Sequence, residues 1–133
     1  MEFVKPIKNR NDIEKMKDAI GAEGKYRERV LFILGINSGL RISDLLNLRW
    51  KDVSGSAVAI KEQKTGKIKR FPLNEACIEA LRSIPRGEPK EYIFVSRSNR
   101  NGGKSEPWTR QYIWKVLNEA AAVVGLAEIG THT

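Results

Sequence analysis

Cross-links, metals and membranes find little to use in this sequence. A single cysteine, Cys77, excludes an internal disulfide and an all-cysteine metal site, and it suits a reducing compartment. A single histidine, His132, cannot build a zinc site with its usual companions. No apolar run approaches the ~20 residues of a membrane span, and the longest, Val30 to Ile36, fits a buried helix. Met1-Glu2-Phe3-Val4-Lys5 lacks the apolar stretch and cleavage site of a secretory leader, so a cytoplasmic protein is expected. Gly66-Lys67 runs into Ile68 rather than Ser or Thr, which removes the phosphate-loop motif, and no His-Glu-x-x-His helix is present. Neither a metal nor an organic cofactor is expected.

What is present is ordinary globular material with an excess of cations. The 133 residues carry 24 Lys and Arg against 16 Asp and Glu, a formal charge of +8. Hydrophobic residues make up 41% and charged residues 30%, a balance that argues against a disordered chain. The length predicts one domain over 1–133, since domains commonly hold roughly 100–150 residues. The charge favours a polyanionic partner.

Asn11-Asp12-Ile13-Glu14 reads as a capping box opening a helix that Gly21 stops, with Ile13, Met16, Ala19 and Ile20 at helical spacing. A second helix is expected over Tyr26 to Ser38, ending at Gly39, with an all-apolar centre that marks it as the core helix. A short helix beginning at Ile42 or Ser43 should run through Leu48. Val58 and Ile60 alternate with Ala57, Ala59 and Lys61 as in a strand, and Ile68 to Leu73 returns as its partner, with Pro72 at a strand end or edge. Asn74 caps the next helix, through about Ser83. Tyr92 to Val95 is a candidate strand, and Ser96 to Pro107 a polar exposed loop. Thr109 caps a last helix whose apolar stripe is Ile113, Val116, Leu117, Ala120, Val123 and Val124. The expected fold class is α+β, mainly helical: four to five helices around a small antiparallel hairpin or sheet.

Cations gather in two places. Lys61, Lys64, Lys67, Lys69 and Arg70 lie on the hairpin with Glu62 among them. Arg97, Arg100, Lys104 and Arg110 lie on the late loop and at the start of the last helix. A two-stranded ribbon with a cationic tip can follow a phosphate backbone or enter a groove. A solvated charged surface is the competing reading. Arg41 stands in the turn between two helices, a sensible place to grip a phosphate, with Asp44 one turn later. On spacing alone, an Arg41–Asp44 surface pair is the favoured reading.

The segment Gly39-Leu40-Arg41-Ile42-Ser43-Asp44-Leu45-Leu46-Asn47-Leu48, followed by Trp50 and Asp52-Val53, resembles the first signature box of the tyrosine recombinases, the phage integrase family. Later features keep the family order: a hairpin with Lys64-Thr65-Gly66-Lys67, a second strand ending Phe71-Pro72-Leu73, a helix, and Thr131-His132-Thr133 as the opening of a second box. The resemblance covers about residues 11 to 133.

It implies the catalytic fold of DNA breaking-rejoining enzymes and double-stranded DNA as partner. Arg41 corresponds to the first catalytic arginine, which grips the scissile phosphate. Lys64 matches the lysine that protonates the departing 5′ oxygen, with Lys67 as the competing assignment. His132 matches the first histidine of the His-x-x-Arg box, and Asp44 the supporting acid. Such chemistry suits these residue types, because charge that grows on the phosphate oxygens is stabilised most in the transition state.

The family's second arginine and tyrosine nucleophile should follow His132, whereas Tyr26, Tyr92 and Tyr112 all precede it. The expectation is therefore the N-terminal part of a catalytic domain, without a core-binding domain ahead of it and inactive by itself. The parent should form a tetramer on paired DNA sites, and this piece a monomer or a weak self-associate with part of the Ile113/Leu117/Val124 stripe uncovered. The alternative is a non-catalytic basic DNA-binding module.

Overall fold

The computed structural model describes residues 10–62, 64–95 and 106–125. The fold is assembled around α2 (Tyr26–Ser38), whose residues Val30 to Leu34 are all buried. A helix buried on every side has no polar stripe, so its sequence reads as a continuous apolar run. α1 (Arg10–Ala22), α3 (Ile42–Leu46) and α4 (Glu75–Arg82) pack against it, and α5 (Arg110–Val123) packs against α1 and α3. Phe32, Leu31, Leu34, Met16, Leu45 and Leu117 are among the fully buried side chains, each worth ~1.5–3 kcal/mol on leaving water.

A three-stranded antiparallel sheet stands beside the helices, in the order β1 (Val53–Ser54), β2 (Ala57–Lys61), β3 (Ile68–Pro72). The β2–β3 register pairs Ala57 with Pro72, Val58 with Phe71, Ala59 with Arg70, Ile60 with Lys69 and Lys61 with Ile68. Pro72 ends an edge strand, the position its missing N–H permits. The two-residue β1 is too short for an alternating pattern to announce it.

Several local expectations need correction. Asn11 lies inside the first turn of α1 rather than capping it, and Glu14 pairs forward with Lys17 at 3.0 Å. α1 continues past Gly21 to Ala22, and Gly24, at φ +75°, turns the chain. α3 ends at Leu46 rather than Leu48, because the next residues leave the helix for another partner. Ile93 N–H donates to the Leu48 carbonyl (3.0 Å), Trp50 N–H to that of Glu91 (3.0 Å) and Lys51 N–H to that of Pro89 (2.8 Å). Tyr92 to Val95 accordingly forms isolated bridges, Arg49 to Tyr92 and Val95 to Pro107, instead of a strand.

On α5, Ile113 and Leu117 are fully buried within this chain, so that part of the stripe is not left open. Val124 is half-buried and Val123 is 71% exposed, pointing away from the core. Thr109 does cap α5, accepting from Tyr112 N–H at 3.1 Å.

Asn74 does two tasks at the junction of sheet and helices. Its side-chain oxygen Oδ1 caps α4 by accepting from Cys77 N–H (3.0 Å), and its side-chain Nδ2 donates to Asn37 Oδ1 on the last turn of α2 (2.9 Å). The base of the hairpin is thereby tied to the end of the core helix. Asn74→Ala should lower unfolding stability by about 1 kcal/mol in urea titrations. Asn74→Asp keeps the cap acceptor but not the donor, and should recover most of that loss; no recovery would make the Asn37 bond the larger contribution.

Candidate nucleic-acid interface

Arg41 is presented by a turn that the sequence over-determines. α2 ends where Gly39 takes a left-handed conformation (φ +72°), which an L side chain adopts only with strain. The Ser38 hydroxyl donates to the Leu34 carbonyl (2.5 Å) and accepts from Leu40 N–H (3.2 Å). Leu40 and Ile42 are both buried, so the residue between them must face outward, and Arg41 is exposed. Arg41 precedes α3, its carbonyl accepting from Leu45 N–H at 3.0 Å. Because α3 has only five residues, the guanidinium itself is the main source of positive potential there.

Asp44 is half-buried in the first turn of α3. Among the described residues no hydrogen bond or ion pair joins it to Arg41, and Arg41 has no carboxylate partner. The surface-pair reading of this spacing is therefore not the geometry adopted.

The hairpin divides its cations by strand periodicity. Lys61 and Arg70 share one face with Ala59 and Ile68, and that face is open to solvent. Lys69 lies on the opposite face, with Ile60, Val58 and Phe71, the face that turns towards the core. There Lys69 forms an ion pair with Glu62. Lys64 and Lys67 are exposed at the tip, where Gly66 (φ +70°) supplies the left-handed residue that Thr65 would resist.

Glu62 closes this tip. Its N–H donates to the Lys67 carbonyl (2.8 Å), its carbonyl accepts from Gly66 N–H (2.8 Å), and its carboxylate accepts from the Thr65 hydroxyl (2.9 Å). The Thr65 oxygen in turn accepts from Lys67 N–H at 3.2 Å. The Lys69 ammonium, and after it the Thr65 hydroxyl, hold the Glu62 carboxyl below the usual carboxylate range. Composition shows Glu62 only as one negative charge among many positive ones. The signal that distinguishes it is the strand register, which puts it on the same face as Lys69.

Arg110 is the first residue of α5 and exposed. A cation at a helix N-terminus is disfavoured by about 0.3–1 kcal/mol, so helix stability gives no reason for this arginine. Arg97, Arg100, Lys104 and His132 lie outside the described residues.

The sequence profile of the phage integrase family matches residues 9–133. The chain belongs to that family. It is 37% identical over 135 residues to "Probable integrase/recombinase YoeC" of Bacillus subtilis (strain 168), spanning 100% of this chain and 71% of that protein. In three dimensions it is similar to the crystal structure of XerA recombinase, with a TM-score of 0.71 at 18% identity, covering 92% of this chain and 44% of that one. It is also similar to lambda integrase (residues 75-356) bound to DNA, with a TM-score of 0.66 at 20% identity, again covering 92% and 44%. At these identities the structural matches establish a shared fold: the mainly helical catalytic domain of a tyrosine recombinase, with its small antiparallel sheet. The chain thus spans less than half of either solved relative.

Against the family's need for a nucleophilic tyrosine, the phenols of this member can be assessed one by one. Tyr26 is exposed. The Tyr92 hydroxyl accepts from the Arg49 guanidinium (2.8 Å), which also stacks 4.2 Å above its ring. The Tyr112 hydroxyl donates to the carboxylate of Glu28 at 2.5 Å, and Glu28 is itself buried. Burial, reinforced by Glu28, pushes the Tyr112 phenol well above its ordinary value of 10.0, which makes it a poorer nucleophile. Because the folded-state value is raised, its stabilising effect is complete below pH 10 and is lost as pH climbs towards the folded value. Denaturation midpoints should therefore fall faster above pH 10 in the native chain than in Tyr112→Phe; parallel pH profiles would contradict the pairing.

Proposed function

We propose that this chain supplies the phosphate-gripping part of a site-specific recombinase that cuts and rejoins double-stranded DNA through a phosphotyrosine intermediate. The observation that carries this reading is Arg41. It is exposed between two buried anchors and free of any carboxylate among the described residues, within a chain the integrase profile matches almost end to end.

In the reaction a tyrosine oxygen bonds to phosphorus while the bond to the 5′ oxygen breaks. The added negative charge lies on the non-bridging oxygens, where a bidentate guanidinium helps more in the transition state than before it. Lys64, or its neighbour Lys67, delivers the proton that the departing 5′ oxygen takes up. Asp44 supports the site from α3, and His132 belongs to the second box. Lys61, Lys67, Arg70, Arg97, Arg100, Lys104 and Arg110 are assigned to backbone contacts, whereas Lys69, paired with Glu62, is held back from them.

No arginine follows Arg110 and no tyrosine follows Tyr112 in these 133 residues. The phosphotyrosine step is assigned to a protein that supplies the tyrosine, acting in the cytoplasm as a tetramer on paired sites. That lambda integrase has been crystallised on DNA and, as a tetramer, on a Holliday junction supports both the partner and the assembly.

Binding of this chain to a fluorescent duplex should weaken steeply with salt, and Arg41→Ala should flatten the log–log slope by about 0.9. Arg41→Lys should restore the slope but not the affinity, since lysine keeps the charge and loses the bidentate geometry. Affinity insensitive to salt would leave only a solvated basic surface. In a parent that carries the tyrosine, Arg41→Ala should cut cleavage more than binding; equal losses would favour the non-catalytic DNA-binding module.

A further inference from the structure

The hairpin tip carries its lysines on a frame that Glu62 ties with both its backbone and its carboxylate. Glu62 and Lys67 form the last backbone pair of the ribbon, Gly66 N–H returns to the Glu62 carbonyl, and the Glu62 carboxylate holds the Thr65 hydroxyl. Lys64 directly precedes Thr65, the residue that the Glu62 carboxylate holds. Of the five hairpin cations, only Lys69 has a carboxylate partner among the described residues, and that partner is again Glu62.

We propose that Glu62 is a positioning residue for the hairpin lysine: its carboxylate fixes the tip through Thr65 so that Lys64 faces DNA, while withdrawing Lys69 from competition for the same phosphates.

A negatively charged side chain on a DNA-facing ribbon lowers non-specific affinity through repulsion from phosphate. Its presence is understandable if it returns geometry, because a lysine on a fixed backbone loses less freedom on engaging a phosphate than one on a loose loop. The two carboxylate oxygens divide the work, one accepting from Thr65 and the other pairing with Lys69. These contacts are separable by substitution. Glu62→Gln keeps an acceptor for Thr65 and loses the charge that engages Lys69, whereas Glu62→Ala loses both.

The inference rests on the DNA-binding reading of the hairpin, and the test distinguishes the two. Lys64→Ala is introduced into the native chain, Glu62→Gln and Glu62→Ala, and duplex affinity is measured against salt for all six proteins. Lys64→Ala should weaken binding several-fold in the native and Glu62→Gln backgrounds but have little effect in Glu62→Ala, where the lysine is no longer placed. The general gain in affinity from removing an acid cancels within each pair. Glu62→Gln should also steepen the salt slope by about 0.9 as Lys69 becomes available.

Equal losses in all three backgrounds would overturn the positioning role while leaving Lys64 a DNA contact. No loss in the native background would overturn the DNA reading of the hairpin and this inference with it. Amide exchange gives a readout that needs no DNA: the Lys67 N–H should exchange faster in Glu62→Ala than in Glu62→Gln. Equal protection in both would overturn the tip frame itself.

Discussion

Burial of the centre of α2 on every side is the constraint from which the placement of the site follows. Val30 to Leu34 are enclosed on every side, so neighbouring elements must bring apolar faces to them. Meeting that need fixes where α1, α3 and α4 lie, and α3 and α1 in turn receive α5. The same enclosure dictates an abrupt stop. Past its buried centre the helix reaches solvent at Asn37, and Gly39 with the Ser38 hydroxyl ends it within two residues. Arg41 is exposed because Leu40 and Ile42 on either side are committed to the interior. Its outward direction is a by-product of core packing, which is a rigid way to hold an exposed side chain.

From that helix end, a polar contact leads on to the sheet. Asn37 on the last turn of α2 accepts from Asn74, which begins α4 directly after β3. The base of the hairpin is thus fixed near Arg41, while the tip with Lys64 and Lys67 lies five strand residues further out, ~17 Å of extended chain. The anchored arginine and the projecting lysines therefore differ in kind. One is set by burial of its neighbours, the others by hydrogen bonds in a solvent-exposed turn, which local opening disrupts more easily.

How far the sequence discloses this depends on which force decides each element. α2 was legible to the residue, because a long apolar run closed by glycine has few other solutions. The caps at Asn74 and Thr109 were legible too, since each is a local contest that a short side chain wins. The failures lie where distant partners decide. Tyr92 to Val95 has strand composition, but the chain it meets at Leu48 to Lys51 is itself irregular, and only single bridges form. The Asn11–Glu14 box satisfied a local pattern, yet Lys17 one turn on offered Glu14 an ion pair instead. At the candidate site, the position of Arg41 was readable and the division of the hairpin cations was not. That division requires the register, which no composition window contains.

The hairpin shows why register matters to function. Five cations counted along the sequence look like one basic patch. Folding with a period of two assigns Lys61 and Arg70 to the solvent face and Lys69 to the other, while the loop carries Lys64 and Lys67 beyond both. A shift of one residue would exchange the faces, exposing Val58 and burying Arg70, at a cost of several kcal/mol in lost apolar burial and unpaired charge. The register is therefore enforced by the core-facing pair Val58 and Phe71, far from the tip. Glu62 then meets Lys69 because both fall on the face that this pair selects. An apolar contact at the base of the ribbon thus decides which of its lysines, among the described residues, stand at the tip without a carboxylate partner.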